Sequence, residues 1–406
     1  MTSSATSEVP LRAQDRLARI TLRQFTTRFA AVLPGLIRFM RSPELRQHPK
    51  WGQLVPFGVD SYGNAASLGH ICRPDIILTA DGPRVTEIDF VPSGRGWTLV
   101  ALPTDQARQA HLVAYRNWYG AMGYGSSRRP VHYATGTTTV CWDEANYFAD
   151  QMQHIGVNVQ SVNIDRTRPD NNTLVDRLFY RAELARRLRT GRAPIITAEP
   201  WFDSKMIFAV IHDTTMNGPL TKYLGANGLA FLRQVLIRTY VLEDIVRARD
   251  TRLERIIENR NNWVLKSTEV EEPWSWGARS VVLGNRTGKN NWEMAVRFAA
   301  GNPPRKELGR HPIVQPFSQS LNFRQHWDAI VAGQLASPDP AQFGKPSDSI
   351  TQQRARRQVF ARVGAYFLVD NRSNQVFTPP HGVLTLRQDP LAHGAGDAII
   401  TAFEIA

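Results

Sequence analysis

The stretch RPDIILTADGPRVTEIDFVPSG, residues 73–94, decides the fold that the sequence predicts. Two short apolar runs flank an Asp-Gly-Pro sequence, a pattern typical of a β-hairpin. Three carboxylates, Asp75, Glu87 and Asp89, nevertheless lie inside the predicted strands, and Arg73 precedes them. Acidic residues are depleted in strands, so this hairpin carries charge that its fold does not require.

The register of the hairpin decides whether the three acids meet. Successive side chains of a strand point to opposite faces, so Glu87 and Asp89 share one face. A three-residue loop at 81–83 places Asp75 on that same face, opposite Asp89. A two-residue loop would move Asp75 to the other face. Pro83 disfavours the two-residue loop because it cannot donate to a ladder, and the sequence therefore predicts that the acids converge.

Converging carboxylates repel one another unless a cation lies among them. Ligands that offer only oxygen suit Mg²⁺, which usually takes a few carboxylates together with substrate phosphates. Arg73 is two residues from Asp75, on the same face, where it could hold a phosphate oxygen. The alternative is a solvated hairpin face with ordinary surface acids, and the spacing alone favours neither.

Composition narrows the class of protein and its partners. The 406 residues leave room for two or three domains, and 42% hydrophobic residues predict a folded chain. A formal net charge of +13 suits an anionic partner, namely nucleotide phosphates, a carboxylate substrate or nucleic acid. Lys and Arg are spread without a basic run, which disfavours nucleic acid but leaves an aminoacyl-tRNA donor open.

The apolar segments and the cysteine content also predict the cellular compartment. The apolar segment 29–40 is too short to span a bilayer and contains Arg38, and residues 1–16 are polar. Cys72 and Cys141 are too few for a disulfide framework or a cysteine zinc site. We therefore expect a cytoplasmic protein with no membrane partner.

Coarse periodicity predicts a mixed α/β organisation. The predicted helices cover 12–41, 143–156, 172–191 and most of 228–260. The predicted strands beyond the hairpin cover 137–142, 157–164, 193–200, 263–267, 311–319 and parts of 362–387. The strand, helix and strand over 137–164 form a βαβ unit. Residues 334–357 are rich in Pro and Ser and predict a surface loop.

The hairpin motif resembles a known metal site. Arg-x-Asp at 73–75, Glu87 twelve positions after the Asp, and Asp89 two further on resemble the site of the glutathionylspermidine synthase group. These are circularly permuted ATP-grasp ligases, in which the metal-binding strands precede the rest of the unit. The resemblance implies that Asp75, Glu87 and Asp89 hold Mg²⁺ and that Arg73 is catalytic.

Two lysine segments and a loop follow in the order that this family needs. SKMIFAVIHD (204–213) resembles the segment with the first ATP lysine, here Lys205, and WVLKS (263–267) the strand with the second, Lys266. WSWGARSVVLG resembles the mobile loop that closes over the phosphates, which implies nucleotide contacts for Gly277 and Arg279.

The adenine and terminal segments complete the resemblance over about residues 70–400. IVQPF resembles the hinge strand, which implies adenine contacts for Gln315 and the backbone of Pro316 and Phe317. TLRQDPLAHGAGDA resembles the terminal segment with a phosphate-stabilising arginine, here Arg387. In relatives the region after the metal strand touches the acyl substrate, which implies substrate contacts for Ser93 and Arg95.

The sequence also departs from the family. Asp89 replaces a common Asn, and Arg-Gln-Asp at 387–389 replaces Arg-Glu-Ser. No amidase domain accompanies the ligase segments. The expected fold is an α/β (α+β) ATP-grasp unit, circularly permuted, with a preATP-grasp-like α/β region. Its expected parts are a helical region (1–70), the metal hairpin and preATP-grasp-like region (71–170), a substrate region with the first lysine (171–260) and the nucleotide-binding region (261–406).

The resemblance implies an ATP- and Mg²⁺-dependent carboxylate–amine ligase that works through an acyl phosphate, in peptide or natural-product biosynthesis. A basic nucleic-acid-binding protein and an inactive ATP-grasp relative stay open as alternatives. A covalent nucleotidyltransferase is disfavoured because no lysine has a Lys-x-Asp-Gly setting. GNRTGKN (284–290) lacks the spacing and the final Ser or Thr of a phosphate-binding P-loop. The sequence predicts neither the acid, the amine nor the oligomeric state.

Overall fold

A computed structural model describes most of the chain. The described residues are 13–55, 67–102, 104–135, 139–163, 166–167, 169–177, 193–197, 199–248, 250–268, 281–301, 311–318, 320–321, 360–387 and 399–404. The α-helices are α1 (Ala13–Met40), α2 (Pro43–Arg46), α3 (Trp51–Leu54), α4 (Arg95–Ala101), α5 (Asp105–Ala121), α6 (Thr139–His154), α7 (Met206–His212), α8 (Asn217–Val235), α9 (Leu242–Arg247), α10 (Arg252–Glu258) and α11 (Lys289–Ala300). The strands are β1 (Ser67–Thr79), β2 (Gly82–Asp89), β3 (Val131–Thr135), β4 (Val159–Asn163), β5 (Leu174–Arg177), β6 (Ile195–Ile196), β7 (Tyr240–Val241), β8 (Trp263–Lys266), β9 (Val281–Leu283), β10 (Ile313–Pro316), β11 (Phe360–Gly364), β12 (Phe367–Asp370), β13 (Val376–Phe377), β14 (His381–Arg387) and β15 (Ile399–Glu404).

The acidic hairpin is present as β1 and β2, but its turn is shorter than predicted. Thr79 pairs with Gly82, so the loop has two residues and the expected three-residue loop is wrong. Gly82 has a φ of 102°, a left-handed conformation that glycine adopts without strain. Pro83 is tolerated opposite Leu78 because, among the described strands, β2 forms a ladder with β1 alone.

A β-bulge keeps Asp75 and Glu87 on one face of the hairpin, which the two-residue turn alone would not do. The register shifts next to Asp75, which pairs with Glu87 and leaves Thr86 as the extra residue. In a regular ladder Asp75 would stand opposite Thr86, and Glu87 would point to the other face. Arg73 pairs with Asp89, so the expected pairing of Asp75 with Asp89 is wrong although the acids do share a face.

Strand β1 is the centre of the large sheet. Its order is β15-β14-β11-β1-β6-β5-β3-β4, with β2 and β12 also paired to β1. The neighbours β2, β11 and β12 run antiparallel to β1, whereas β6, β5, β3 and β4 form a parallel half. This mixed sheet with flanking helices confirms the predicted α/β class.

The βαβ unit exists one segment earlier than predicted. Residues 139–142 begin α6, and the first strand of the unit is β3, so the strand predicted at 137–142 is wrong over the described residues. The run of β-branched residues there favours a strand locally, but β3 fills the position between β4 and β5. The strand predicted at 157–164 is confirmed as β4, and that at 193–200 contains β6.

Two further predictions need correction. The basic helix predicted at 172–191 is wrong over 174–177, which form β5 inside the parallel half, and 178–192 lie outside the described residues. The helix predicted over 228–260 is divided into three: β7 separates α8 from α9, and α9 ends at Arg247 before α10 begins at Arg252. The predicted surface loop at 334–357 also lies outside the described residues.

A second sheet has the order β7-β10-β8-β9 and is antiparallel where its pairs are described. It confirms the strands predicted at 263–267 and 311–319, and the strands predicted within 362–387 are present in the large sheet. Residues 281–283 of the predicted mobile loop form β9, which pairs with β8.

The long N-terminal helix packs against β12 of the large sheet and against α8. It is a single helix with Pro34 inside it, which confirms the periodicity at 12–41. Phe29 of this helix is buried 5.0 Å from the ring of Phe367. α8 approaches α1 so closely that a Cβ at Gly35 would lie 2.4 Å from the Tyr223 carbonyl oxygen.

Among the described helices, none is both long and apolar enough to cross a membrane.

Candidate active site

Charged side chains from five elements meet at the base of the hairpin. β1 and β2 supply the acids, and cations come from β1, β11, the start of α7 and the end of β8. The set comprises Asp75, Glu87 and Asp89 with Arg73, Lys205, Lys266 and Arg362. The structure therefore brings together the three predicted acids, Arg73 and both predicted ATP lysines.

Asp75 is the most enclosed of the acids, with 3% of its surface exposed. One carboxylate oxygen accepts from Arg73 Nε at 3.1 Å and the other from Arg362 Nη1 at 2.7 Å. Arg362 was missed by the sequence reasoning because it lies on β11, 287 positions away. The nearness of Arg362 to Asp75 becomes evident only from the strand register, in which Gly364 pairs with Asp75.

Arg73 is fixed by three acceptors. Besides Asp75, it donates to the Ser93 carbonyl oxygen at 2.5 Å and to Asp89 Oδ2 at 3.3 Å. Burial opposes its charge, but Asp75 and Asp89 outweigh burial and raise the pKa of Arg73 above its ordinary value. Gly364 makes room for this side chain, since a Cβ there would lie 2.7 Å from Arg73 Cδ.

Glu87 faces the two lysines. Lys205 Nζ lies 2.6 Å from Glu87 Oε1, while Lys266 Nζ donates to the carbonyl of the bulge residue Thr86 at 3.0 Å. Burial raises the pKa of Glu87, but Lys205 and Lys266 outweigh it and hold the pKa below its ordinary value. A partly buried acid that stays ionised beside two cations is typical of an anion-handling site.

The lysines differ in their protonation. Burial lowers the pKa of Lys205, but the neighbouring Glu87 more than compensates and the pKa ends above its ordinary value. Burial lowers the pKa of Lys266 to about 8, because attraction by Glu87 only partly compensates and Lys205 repels its charge. Lys266 is thus a cation that lacks a sufficient anionic partner within the described residues.

Asp89 keeps 27% of its side-chain surface accessible. Its Oδ1 accepts from the Val91 N–H at 2.8 Å. Burial raises the pKa of Asp89, and Arg73 opposes this shift. The negative charges of Asp75 and Glu87 raise the pKa of Asp89 further. A cation placed beside Asp89 would therefore stabilise its charged form.

The donor set fits Mg²⁺ in part. Among the described residues, no three His, Cys, Asp or Glu side chains are grouped closely enough to hold a metal ion. Glu87 and Asp89 keep 33% and 27% of their side-chain surfaces accessible, against 4% for Asp75. Mg²⁺ is commonly bound by one or two carboxylates plus waters and phosphates, which Glu87 and Asp89 can provide. Asp75 is held by arginines in this conformation, and its metal role stays a prediction.

The predicted adenine residues lie on β10 and just after it. Gln315 is buried and donates to Thr239 Oγ1 at 2.8 Å, and the Phe317 N–H donates to the Asn262 carbonyl at 2.7 Å. Pro316 ends β10. The adenine contacts therefore stay predictions.

Three other predicted residues are incompletely placed. Gly277 and Arg279 lie outside the described residues. Arg387 ends β14, where it pairs with Phe360, and the segment 388–398 that follows it is also outside the described residues. Their roles stay predictions.

The predicted substrate residues follow β2. The Ser93 carbonyl accepts from Arg73 and also from the Tyr366 hydroxyl at 3.0 Å, so this turn is tied to the charged cluster. Arg95 is fully buried at the start of α4, where its Nη1 lies 2.6 Å from Asp176 Oδ2. A substrate contact for Arg95 stays a prediction.

A buried polar cluster surrounds Arg95. Tyr119 donates to the same Asp176 oxygen at 2.6 Å, and Glu144 accepts from the Gly94 N–H at 2.5 Å. Burial raises the pKa of Glu144 to about 7. Several buried polar atoms in this region have no hydrogen-bond partner among the described residues: Arg95 Nε and Nη2, Asp176 Oδ1, Glu144 Oε2, and the hydroxyls of Tyr115 and Tyr133. Such a concentration is typical of an interior that binds water or a polar ligand.

Comparisons with known proteins place the fold. No known family model matches the chain, and no curated protein does. A solved structure of a glutathione synthetase-like effector from Globodera pallida, in its apo form, aligns over 97% of this chain and 88% of its own, with a TM-score of 0.52 and 10% identity. The chain therefore shares the fold of that structure. A putative gamma-glutamylcysteine synthetase from Methylobacillus flagellatus aligns over 94% of this chain and 85% of its own, with 10% identity and a TM-score of 0.43, too low to support a conclusion.

This likeness confirms the predicted mixed α/β class over nearly the whole chain. At 10% identity the likeness shows the fold alone. Membership of the glutathionylspermidine synthase group and the circular permutation stay predictions.

Proposed function

We propose that this protein is an ATP- and Mg²⁺-dependent ligase that joins a carboxylate to an amine through an acyl phosphate. The observation that carries the proposal is the cluster of Arg73, Lys205, Lys266 and Arg362 around two accessible carboxylates on one hairpin face. The synthetase-like fold supports the same class.

The reaction requires cations before it starts. A substrate carboxylate must attack the γ-phosphate of ATP, and both groups are anionic. Positive groups that are already fixed in place stabilise the negative charge of the transition state, because these groups need not reorganise during the reaction. Arg73, held by Asp75 and the Ser93 carbonyl, is such a group, and Lys266 would regain its full charge beside a phosphate.

A bound nucleotide would disturb the ion pair between Lys205 and Glu87. Lys205 pairs with Glu87, and an incoming phosphate would compete with Glu87 for this lysine. Glu87 and Asp89 would then hold Mg²⁺, which when bound supplies charge neutralisation on the phosphate oxygens. Asp75 would remain the support that aims Arg73 and Arg362.

The nucleotide would extend from this cluster towards the second sheet. Lys266 ends β8, and β10 with Gln315, Pro316 and Phe317 is its neighbour. The loop with Gly277 and Arg279 would exclude water, which otherwise hydrolyses an acyl phosphate. Arg387 would neutralise charge on the transferring phosphoryl group.

The acyl substrate would bind beyond the Ser93 turn. That turn joins the charged cluster to the polar interior around Arg95, Asp176 and Glu144. The polar atoms there suit a substrate with carboxylate and amino groups, such as an amino acid or small peptide. A nucleophilic side chain is not required, because the substrate carboxylate attacks ATP directly.

A screen for ADP release tests the proposal. Amino acids and small peptides are paired with amines in the presence of ATP and Mg²⁺, and turnover should require a matched acid and amine. Glu87→Gln should abolish turnover while the circular dichroism spectrum stays unchanged. Glu44→Gln is the matched control, since Glu44 also pairs with a lysine, Lys222, at 2.5 Å on the surface.

The outcomes separate the alternatives. Full turnover in the Glu87→Gln variant would reject the site. ATP binding without ADP release for any pair would indicate an inactive relative. Binding of oligonucleotides without ATP, with affinity falling steeply as salt increases, would favour a nucleic-acid-binding protein.

A further inference from the structure

A separate cleft lies at the turn end of the hairpin, away from the acids. It has a volume of about 560 Å³ and is bounded by α1, the turn between β1 and β2, and the end of α8. Asp75 is four residues from Thr79 along β1, which at about 3.3 Å per residue separates the two regions by roughly 13 Å. The proposed ligase reaction does not use this cleft.

Three arginines give the cleft a positive lining. Arg23 and Arg28 are exposed on α1, and neither forms an ion pair with a carboxylate among the described residues. Arg84 on β2 donates to the Gln234 carbonyl near the end of α8, which fixes its guanidinium at the rim. Asp81 is the one acid among the described residues that line the cleft, so positive charge exceeds negative by two.

The floor of the cleft is apolar. Phe25, Phe231 and Val235 are buried there, and the two rings lie 5.9 Å apart. The guanidinium carbon of Arg28 lies 4.3 Å above the Phe231 ring, which leaves the N–H edge of the guanidinium available for a ligand. Arginine held on an aromatic face offers a planar fork that suits phosphate and carboxylate oxygens.

We propose that this cleft binds a small organic anion with an apolar body. The body would lie against Phe25, Phe231 and Val235, and its phosphate or carboxylate group would bind Arg23, Arg28 and the free edge of Arg84. The volume lies within the range of small-molecule sites, which combine an apolar lining with a few placed polar groups. This binding does not depend on the proposed ligase activity.

Isothermal titration of the full chain with four probes tests the proposal. The probes are 1-naphthyl phosphate, 1-naphthoate, neutral 1-naphthol and inorganic phosphate. At least one naphthyl anion should bind about tenfold tighter than both 1-naphthol and inorganic phosphate, because only the naphthyl anions satisfy floor and rim together. The phosphate and carboxylate arms distinguish the two sources of negative charge.

Three variants locate the binding. Arg23→Gln should weaken the preferred probe about tenfold, whereas Arg116→Gln, an exposed arginine on α5, should leave it unchanged. Thr27→Trp fills the cleft from an exposed position of α1 without changing charge, and it should abolish binding.

Several results would overturn the proposal. Among the probes, 1-naphthol binding as tightly as both naphthyl anions, or inorganic phosphate binding as tightly as the anions, would contradict it. Among the variants, equal losses of affinity in Arg23→Gln and Arg116→Gln, or full binding in a folded Thr27→Trp variant, would contradict it. Unchanged far-UV circular dichroism in each variant excludes unfolding as the cause of a loss.

Discussion

Lys266 should take up a proton when ATP binds, and the structure gives the size of the effect. Without nucleotide its pKa is about 8, so about half of the molecules carry a neutral lysine at pH 8 and about nine-tenths at pH 9. A phosphate beside the amine would return its pKa to or above 10.5. ATP binding should therefore take up about half a proton at pH 8 and about nine-tenths at pH 9.

Titration calorimetry in buffers of different ionisation enthalpy measures this uptake directly. At pH 9 ATP and Glu144 no longer titrate, which leaves Lys266 as the main source. Lys266→Arg keeps the charge at all these pH values and should abolish the uptake. Lys222→Arg, at an exposed lysine paired with Glu44, should retain it.

The same linkage predicts the pH dependence of affinity. If only the charged lysine binds phosphate, ATP affinity should fall about fivefold between pH 8 and pH 9 in the natural protein. The affinity of the Lys266→Arg variant should stay level over this interval. Uptake below about a tenth of a proton at pH 9, or equal uptake in both proteins, would refute contact between Lys266 and the nucleotide.

Three stability predictions can be checked by urea unfolding. Gly364→Ala should cost about 1–3 kcal/mol because its Cβ would meet a fixed arginine side chain, whereas Gly218→Ala, with open space around it, should cost nothing; equal effects would contradict this. Arg95→Leu should cost about 3–5 kcal/mol by leaving Asp176 buried and unpaired, and replacing both by Leu should recover most of the loss; an unrecovered double variant would argue against the ion pair. Burial raises the folded-state pKa of Glu144 from 4.5 to about 7. The contribution of Glu144 to stability is therefore greatest below pH 4.5 and is lost as pH rises through about 7. Glu144→Gln should remove this pH dependence, and an unchanged pH profile of stability would contradict the assignment.

The central part of the site could be predicted from sequence because it is local. Asp75, Glu87 and Asp89 lie on two strands joined by a short turn, and alternation limits them to few arrangements. The loop length was nevertheless wrong, and the acids share a face for a different reason. Nothing in the sequence marks Thr86 as the residue that leaves the ladder, because a bulge depends on the pairing of the whole strand.

Distant contributions could not be predicted in the same way. Arg362 approaches Asp75 only because β11 pairs with β1 across most of the chain. The strand expected at 137–142 failed because local β-branched residues gave the stronger signal, while the available position in the sheet belonged to β3. Lys205 was placed by family resemblance, and its nearness to Glu87 follows from how α7 begins beside the hairpin.

The carbonyl of Thr86 joins the two sheets of the molecule. It is displaced from the ladder on the large sheet and accepts from Lys266 at the end of β8 in the small one. One ammonium group cannot serve this carbonyl fully and also point all its donors at a triphosphate. Nucleotide binding would therefore weaken the hydrogen bond between Lys266 and the Thr86 carbonyl, which links the two sheets. The bound nucleotide would itself contact both sheets, so that the position of the small sheet would depend on the ligand.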